Sequence, residues 1–394
     1  MSPKKFETSS CCTIATLWLY AYDLVAFEER LCGEVGETGI AAAPLRGGPS
    51  ENNRKLMPAN TTSSSCNIQE KPSWTSSALI VESSTMGKYA DDPAWADIVP
   101  LPTDEGGPNP LAAIAYTDEY EETMSYLRAV MAANEFSQRA LDLTEDLIDM
   151  NPAHYTVWLF RAQCLFAINA DLKAELEWLN ETALDNQKNY QIWHHRNLIV
   201  DKLDSCEGEA DFVAQMFEKD AKNYHVWSYR QWLVKRFGLW DKGELEFTEE
   251  LIAKDVRNNS AWNHRWYVIN GREGAAGIKD PAVREREVKF AKDAVAKAPQ
   301  NECPWNYLRA IAKKSDMGLS NLKEFVGQYA SVEQPDAVHS SYALDLMAEI
   351  LASEEGSKQQ AGVVLDMLAS KYDPIRKNYW EYRKGMLGLP STAA

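Results

Sequence analysis

The sequence has little positive charge for its size. Its 394 residues carry 41 Lys and Arg against 58 Asp and Glu, a formal net charge of −17 at pH 7. A general nucleic-acid binder needs a basic face to neutralise phosphates, so the expectation is of no nucleic-acid partner. Glycine and proline are sparse, at 20 and 17, which disfavours a turn-rich all-β chain. The seven cysteines (Cys11, Cys12, Cys32, Cys66, Cys164, Cys206, Cys303) contain no Cys-x-x-Cys and have irregular spacing. That argues against a disulfide framework or a structural zinc site and fits a reducing, cytoplasmic compartment. No apolar run approaches the roughly 18 residues of a transmembrane helix. The nearest candidate, residues 14–27 after Lys4 and Lys5, contains Asp23 and runs into Glu28, Glu29 and Arg30 without a clean cleavage site. It does not read as a secretory signal.

Catalytic signatures are also missing. There is no Gly-x-x-x-x-Gly-Lys-Ser/Thr, Gly-x-Gly-x-x-Gly, Gly-x-Ser-x-Gly or His-Glu-x-x-His. The six histidines are scattered. Only His194 and His195 adjoin, and neighbours on a helix point about 100° apart, so they do not make a metal pair. The expectation is of no metal site built from this chain alone.

Length and composition leave room for a sizeable core. A prior of about 150 residues per domain suggests two or three domains, and hydrophobic residues make up 45% of the chain. Residues 1–87 carry Gly47, Gly48 and Pro49, then the polar run 60–65, and lose hydrophobic periodicity after Leu31. They read as a disordered or weakly ordered extension. A proline-bearing stretch, residues 100–110, leads into a helical body. Residues 116–134 and 138–150 place apolar side chains at steps of three and four. The domain reading is 1–87 extension, 88–388 helical-repeat domain, 389–394 tail.

What the chain has in abundance is tryptophan, thirteen in all. Five segments align on Trp158, Trp193, Trp227, Trp262 and Trp305, separated by 35, 34, 35 and 43 residues. Each has an arginine three or four residues on: Arg161, Arg196, Arg230, Arg265 and Arg309. A variant carries Trp380 and Arg383, 75 residues after Trp305, and two periods fit that gap. A degenerate copy near Tyr342, within residues 336–351, is therefore expected. Each repeat reads as a helix pair opened by a capping Asn, with second helices over residues 172–184, 210–219, 244–253 and 286–296. No single pair can bury its apolar face alone, so about seven stacked pairs give an all-α fold, an α-α superhelix forming a right-handed crescent solenoid. A Trp at a fixed step of every repeat reads as core. The following Arg reads as holding a carboxylate or carbonyl of the next repeat, and neither residue as catalytic.

The positions just ahead of each Trp lie at helix starts and so gather along one rim. Free N–H groups and partial positive charge there suit an anion. The rim reads Lys188-Asn189-Tyr190-Gln191 and Lys222-Asn223-Tyr224-His225, and Asn151-Pro152-Ala153-His154-Tyr155 in the first repeat. In an acidic chain this is a local donor-rich, basic island, and a phosphate-bearing ligand fits it.

These repeats resemble the α subunits of protein prenyltransferases. The resemblance is carried by the strings 189–196, 220–225 and 255–263, and by Trp95-Ala96-Asp97-Ile98 followed by Tyr126-Leu127-Arg128-Ala129-Val130. It spans about residues 88–388 and is closest to the α subunit shared by protein farnesyltransferase and geranylgeranyltransferase type I. The first repeat departs, with Leu159 and Ala162 where His and Arg are usual. The resemblance implies a heterodimer with a β subunit that carries catalytic zinc, magnesium accompanying the diphosphate, and transfer of a farnesyl or geranylgeranyl group to the Cys of Cys-a-a-X acceptors such as small GTPases. It also implies that Lys188, Tyr190 and His225 lie next to the isoprenoid diphosphate and Tyr224 beside them. Gln191 would bond the acceptor's terminal carboxylate, and Tyr155 would line the cleft. Two rivals are the α subunit of the Rab-type geranylgeranyltransferase, built on the same repeats, and a non-enzymatic helical scaffold of the tetratricopeptide kind.

Overall fold

The computed structural model describes residues 87–104, 106, 110–332 and 337–390. The reading of residues 1–87 as a disordered extension lies, apart from Gly87, outside the described residues, as do residues 391–394 of the tail.

Among the described residues there are fifteen α-helices and no strand. The lead helix, α1 (Asp118–Ala132), is capped by Thr117, whose hydroxyl accepts from the Tyr120 N–H. Seven hairpins follow: α2 (Gln138–Met150) with α3 (Tyr155–Ala167), α4 (Leu172–Asp185) with α5 (Tyr190–Leu203), α6 (Glu209–Lys219) with α7 (Tyr224–Phe237), α8 (Glu244–Lys254) with α9 (Asn259–Asn270), α10 (Pro281–Lys297) with α11 (Glu302–Lys314), α12 (Lys323–Gly327) with α13 (Ser341–Ser353), and α14 (Lys358–Met367) with α15 (Lys377–Met386). The whole is an α-α superhelix.

The pairing is out of phase with the sequence reading. A tryptophan helix is the second member of its hairpin, packed on the helix before it, and successive tryptophan helices α3, α5, α7, α9, α11 and α13 stack on one another. The reason is the turn ahead of each Trp. Residues 186–189, 220–223 and 255–258 reverse the chain and end on a cap, with Asn189, Asn223 and Asn258 accepting from the N–H groups of Gln191, His225 and Ser260. Asn301 does the same for Cys303. The first repeat is the exception. Asn151 does not open α3; the cap position is His154, which makes no side-chain cap bond. α10 also begins earlier than expected, because Asp280 caps it and Pro281 takes the first helical position, where a missing N–H costs nothing. The degenerate copy is α13, with Leu344 fully buried at the turn where the other repeats carry Trp.

Trp158, Trp193, Trp227, Trp262, Trp305 and Trp380 are all buried. A buried aromatic removes about 150–250 Å² from water, worth about 4–6 kcal/mol each before conformational entropy is charged. At the N-terminal end the exposed side of the first helices is covered by a strap. Tyr89, Trp95 and Tyr126 form an aromatic cluster with centroids 5.1–5.6 Å apart. The Glu122 carboxylate takes the backbone N–H groups of Lys88, Tyr89 and Ala90 at 3.1, 3.1 and 2.9 Å.

Candidate functional site

Two buried ladders fix the rim. In the first, each Trp indole donates to the carbonyl six residues back: Trp158 to Pro152, Trp193 to Gln187, Trp227 to Ala221, Trp262 to Val256 and Trp305 to Pro299, at 2.8–3.1 Å. The Asn of the next repeat donates to the same carbonyl: Asn189 to Pro152, Asn223 to Gln187, Asn258 to Ala221 and Asn301 to Val256. One oxygen per repeat thus ties one helix start to the next.

The second ladder is ionic. Arg161, Arg196, Arg230 and Arg265 each make a two-pronged contact with one carboxylate: Glu175, Glu209, Glu244 and Glu287. Glu175, Glu209 and Glu244 sit in the first turn of the helix that follows the tryptophan helix, and Glu287 sits in the second turn of α10. The arginine therefore holds the next hairpin. Each guanidinium also lies over an aromatic ring three residues beyond its acid: Trp178, Phe212, Phe247 and Phe290. A third group closes each unit. His195 meets Glu175 at 2.9 Å, Tyr229 donates to Glu209 at 2.6 Å, His264 meets Glu244 at 2.7 Å and Tyr307 donates to Glu287 at 2.8 Å.

The surroundings of His195 and His264 favour the neutral imidazole. Nε2 faces the carboxylate, while Nδ1 is buried with no partner among the described residues. A proton on Nδ1 would be an unsatisfied donor, so Nε2–H is the tautomer the geometry supports. Burial pushes both imidazoles below their ordinary value, against the opposing pull of the acid. Burial raises Glu175 and Glu244, but bonds from the histidine and arginine outweigh it and hold both below the usual carboxylate range.

On this frame the rim residues stand at helix starts. Tyr155, Tyr190 and Tyr224 are the first residues of α3, α5 and α7 and are exposed. The turns that open α5 and α7 are joined across the repeat junction. The Tyr190 ring meets His225 edge-on, with centroids 4.3 Å apart, and Tyr224 lies against His225 at 5.6 Å. His225 is half-buried, and burial lowers its imidazole pKa. Lys188 Nζ stands 3.5 Å from Asp220 Oδ2. A groove lined by Ala153, Lys188, Tyr190 and Gln191 opens on the other side of α5, toward the first repeat.

The repeat family described as "Protein prenyltransferase alpha subunit repeat" matches residues 137–168, 172–203, 206–237, 241–271 and 284–315. Those boundaries reproduce the hairpins as they pack. A relative named protein farnesyltransferase/geranylgeranyltransferase type-1 subunit alpha, from Candida albicans, is 40% identical over 298 residues, 73% of this chain and 95% of that one. The chain belongs to the protein farnesyltransferase/geranylgeranyltransferase type-1 α-subunit family. The relative of the same name from Arabidopsis thaliana is 40% identical over 317 residues, covering 74% of this chain and 94% of its own. Among solved structures, Candida albicans protein geranylgeranyltransferase-I complexed with GGPP matches with a TM-score of 0.68 and 38% identity, over 74% of this chain and 97% of that one.

The structure of this α subunit brings Lys188, Tyr190, Gln191, Tyr224 and His225 to two adjoining turns and leaves Tyr155 one repeat away, where its ring neighbour is His154. The rim is not the basic island expected. Lys188 and Lys222 are each matched by an aspartate of the next turn, Asp220 and Asp255. Sequence reasoning expected each arginine to hold a carboxylate or carbonyl of the next repeat, but did not identify the four buried glutamates, nor those aspartates as lysine partners. Yet the glutamates recur at 34, 35 and 43 residues, the same intervals as the tryptophans they precede. Among the described residues no group of three or more His, Cys, Asp or Glu is placed to hold a metal ion, and no helix is long and apolar enough to cross a membrane.

Proposed function

We propose that this chain is the α subunit of a heterodimeric, cytoplasmic prenyltransferase that moves a farnesyl or geranylgeranyl group from its diphosphate to the Cys of Cys-a-a-X proteins, with the junction of α5 and α7 as its contribution to the diphosphate site. The observation that carries this reading is the edge-on contact of Tyr190 with His225 of the next repeat, with Lys188 reaching Asp220 across the same junction. Membership of the prenyltransferase α-subunit family supports assigning that junction to the diphosphate.

In the reaction the acceptor sulfur attacks C1 of the isoprenoid, the C1–O bond breaks, and its electron pair leaves with the diphosphate. Zinc held by the β subunit, when bound, favours the cysteine thiolate, and magnesium offsets charge on the diphosphate. This chain's part is to bind and orient. Lys188 supplies a mobile ammonium. His225, whose partial burial lowers its pKa, supplies an imidazole donor steadied by Tyr190 and Tyr224. Both act where charge grows on the departing oxygens, so they favour the transition state over the ground state. Gln191, whose own N–H is held by Asn189 at 2.8 Å, offers its side-chain amide to the acceptor's carboxylate, and Tyr155 lines the cleft.

Co-expression with candidate β subunits tests the proposal. The expected result is a stable heterodimer that prenylates a Cys-a-a-X peptide with one or both isoprenoid diphosphates. Transfer only in the presence of an escort protein would identify the Rab-type enzyme instead. Assembly with no β subunit and no transfer would leave the scaffold.

A further inference from the structure

Lys188, the residue proposed to meet the diphosphate, already has an anion beside it. We propose that Asp220 is a positioning residue for Lys188. It acts as a built-in counter-ion that the diphosphate displaces, and so limits how tightly diphosphate is held. The inference rests on the reading of Lys188 given above.

The two members of the pair are unequal. Asp220 is anchored three times. Its Oδ1 accepts the Lys222 N–H at 2.9 Å, its own N–H closes α6 on the Met216 carbonyl, and its carbonyl takes the Asn223 N–H at 3.1 Å. Its remaining oxygen, Oδ2, is left to face Lys188 at 3.5 Å. Lys188 has no such anchor. Its side chain is 77% exposed, and a long solvated side chain at that distance from its partner exchanges among rotamers at little cost. The junction therefore has one fixed carboxylate and one movable ammonium, each five residues ahead of His225 and Trp193 respectively. A ligand anion arriving between the two turns competes with Asp220 for the same ammonium. After the C1–O bond breaks, the free diphosphate carries more charge than the ester did and would hold a lysine harder. A carboxylate waiting at the junction offers the ammonium somewhere to return. The next junction repeats the arrangement with Lys222 and Asp255 at 3.0 Å. There the residue in line with Tyr190 is Tyr224, still an aromatic, but the one in line with His225 is Ser260, so the pairing recurs where the imidazole does not.

The test is a double-mutant cycle on the intact heterodimer, reading the affinity for inorganic pyrophosphate in magnesium-free buffer. Asp220→Asn keeps an acceptor for the Lys222 N–H and removes the charge; Asp220→Ser is the second variant should the first assemble poorly. With Lys188 present, Asp220→Asn is expected to tighten pyrophosphate binding by about 2- to 5-fold, the range set by an exposed pair. With Lys188→Met in place, most of that gain should disappear. An equal gain in both backgrounds would mean that Asp220 acts only through its general field and would overturn the proposal. Unchanged or weaker binding in Asp220→Asn would overturn it too. Should Lys188→Met leave affinity unchanged in both backgrounds, the assignment of Lys188 to the diphosphate fails, a result distinct from failure of the counter-ion.

Discussion

Trp193 and Asn223 donate to the same oxygen, the carbonyl of Gln187, at 3.1 and 3.0 Å. The indole comes from inside one repeat and the amide from the start of the next. Asn223 also caps α7 through its Oδ1, so one side chain both opens a helix and ties it to its neighbour. Asn223→Ala removes the cap and the tie together and should cost about 1–3 kcal/mol. The check is the unfolding midpoint in urea at fixed subunit concentration, where the midpoint should fall with the slope unchanged.

The bidentate pair of Arg196 and Glu209 makes a sharper prediction. Both side chains are buried, at 2% and 3% exposure. Glu209→Ala strands a guanidinium in the interior and should cost about 3–5 kcal/mol, whereas replacing both partners with apolar residues of similar volume should recover much of the loss. Comparing the single variant with Arg196→Met/Glu209→Leu by thermal unfolding separates the cost of a stranded charge from the worth of the pair.

Stability should fall on the acid side of neutrality in two stages. His195 and His264 have folded pKa values below the ordinary imidazole value near 6.5. As pH drops below that value the unfolded chain takes up protons that the folded chain refuses, so stability declines toward the depressed folded value. Glu175, Glu244 and Glu287 have folded values below the ordinary carboxylate range. Their contribution is complete above that range and is lost as pH falls through the lowered values. Unfolding midpoints from pH 8 to pH 4 should therefore fall monotonically. Replacing His195 and His264 together by Gln should remove most of the first stage and leave the second.

The seam at residue 87 gives a prediction about length. Lys88 and Tyr89 both reach Asp146, and the first backbone N–H groups of the strap are spent on Glu122. A chain beginning at Gly87 should pair with its β subunit and turn over normally, while one beginning at residue 100 loses Tyr89 and Trp95 and should melt at a lower temperature. Failure of the first chain to form a heterodimer would contradict the reading of residues 1–87 as an extension.

The tryptophan spacing made the superhelix legible, because a large side chain at a fixed step can be buried only by stacking one unit on the next. The phase was not legible. Reading each Trp helix as the first of its pair follows from the chain order of the motif. Only the short capped turn ahead of Tyr190 or Tyr224 shows that the tight reversal comes before the tryptophan. The candidate site was legible as residue types at helix starts. What the sequence concealed was pairing: nothing local to Lys188 announces Asp220, and nothing local to Arg196 announces Glu209, since both partners are reached through the fold. Glu209's recurrence in step with Trp227 was the available signal.

Single-turnover transfer by the intact heterodimer tests the central claim that Lys188 serves the leaving diphosphate. A hydrogen bond to a charged group is worth about 1.5–3 kcal/mol, so Lys188→Ala should slow the chemical step by about 10- to 150-fold. The Lys188 side chain is exposed and its ion-pair partner is Asp220, so assembly with the β subunit should be unchanged. Transfer by the Lys188→Ala heterodimer at the wild-type rate would contradict the account.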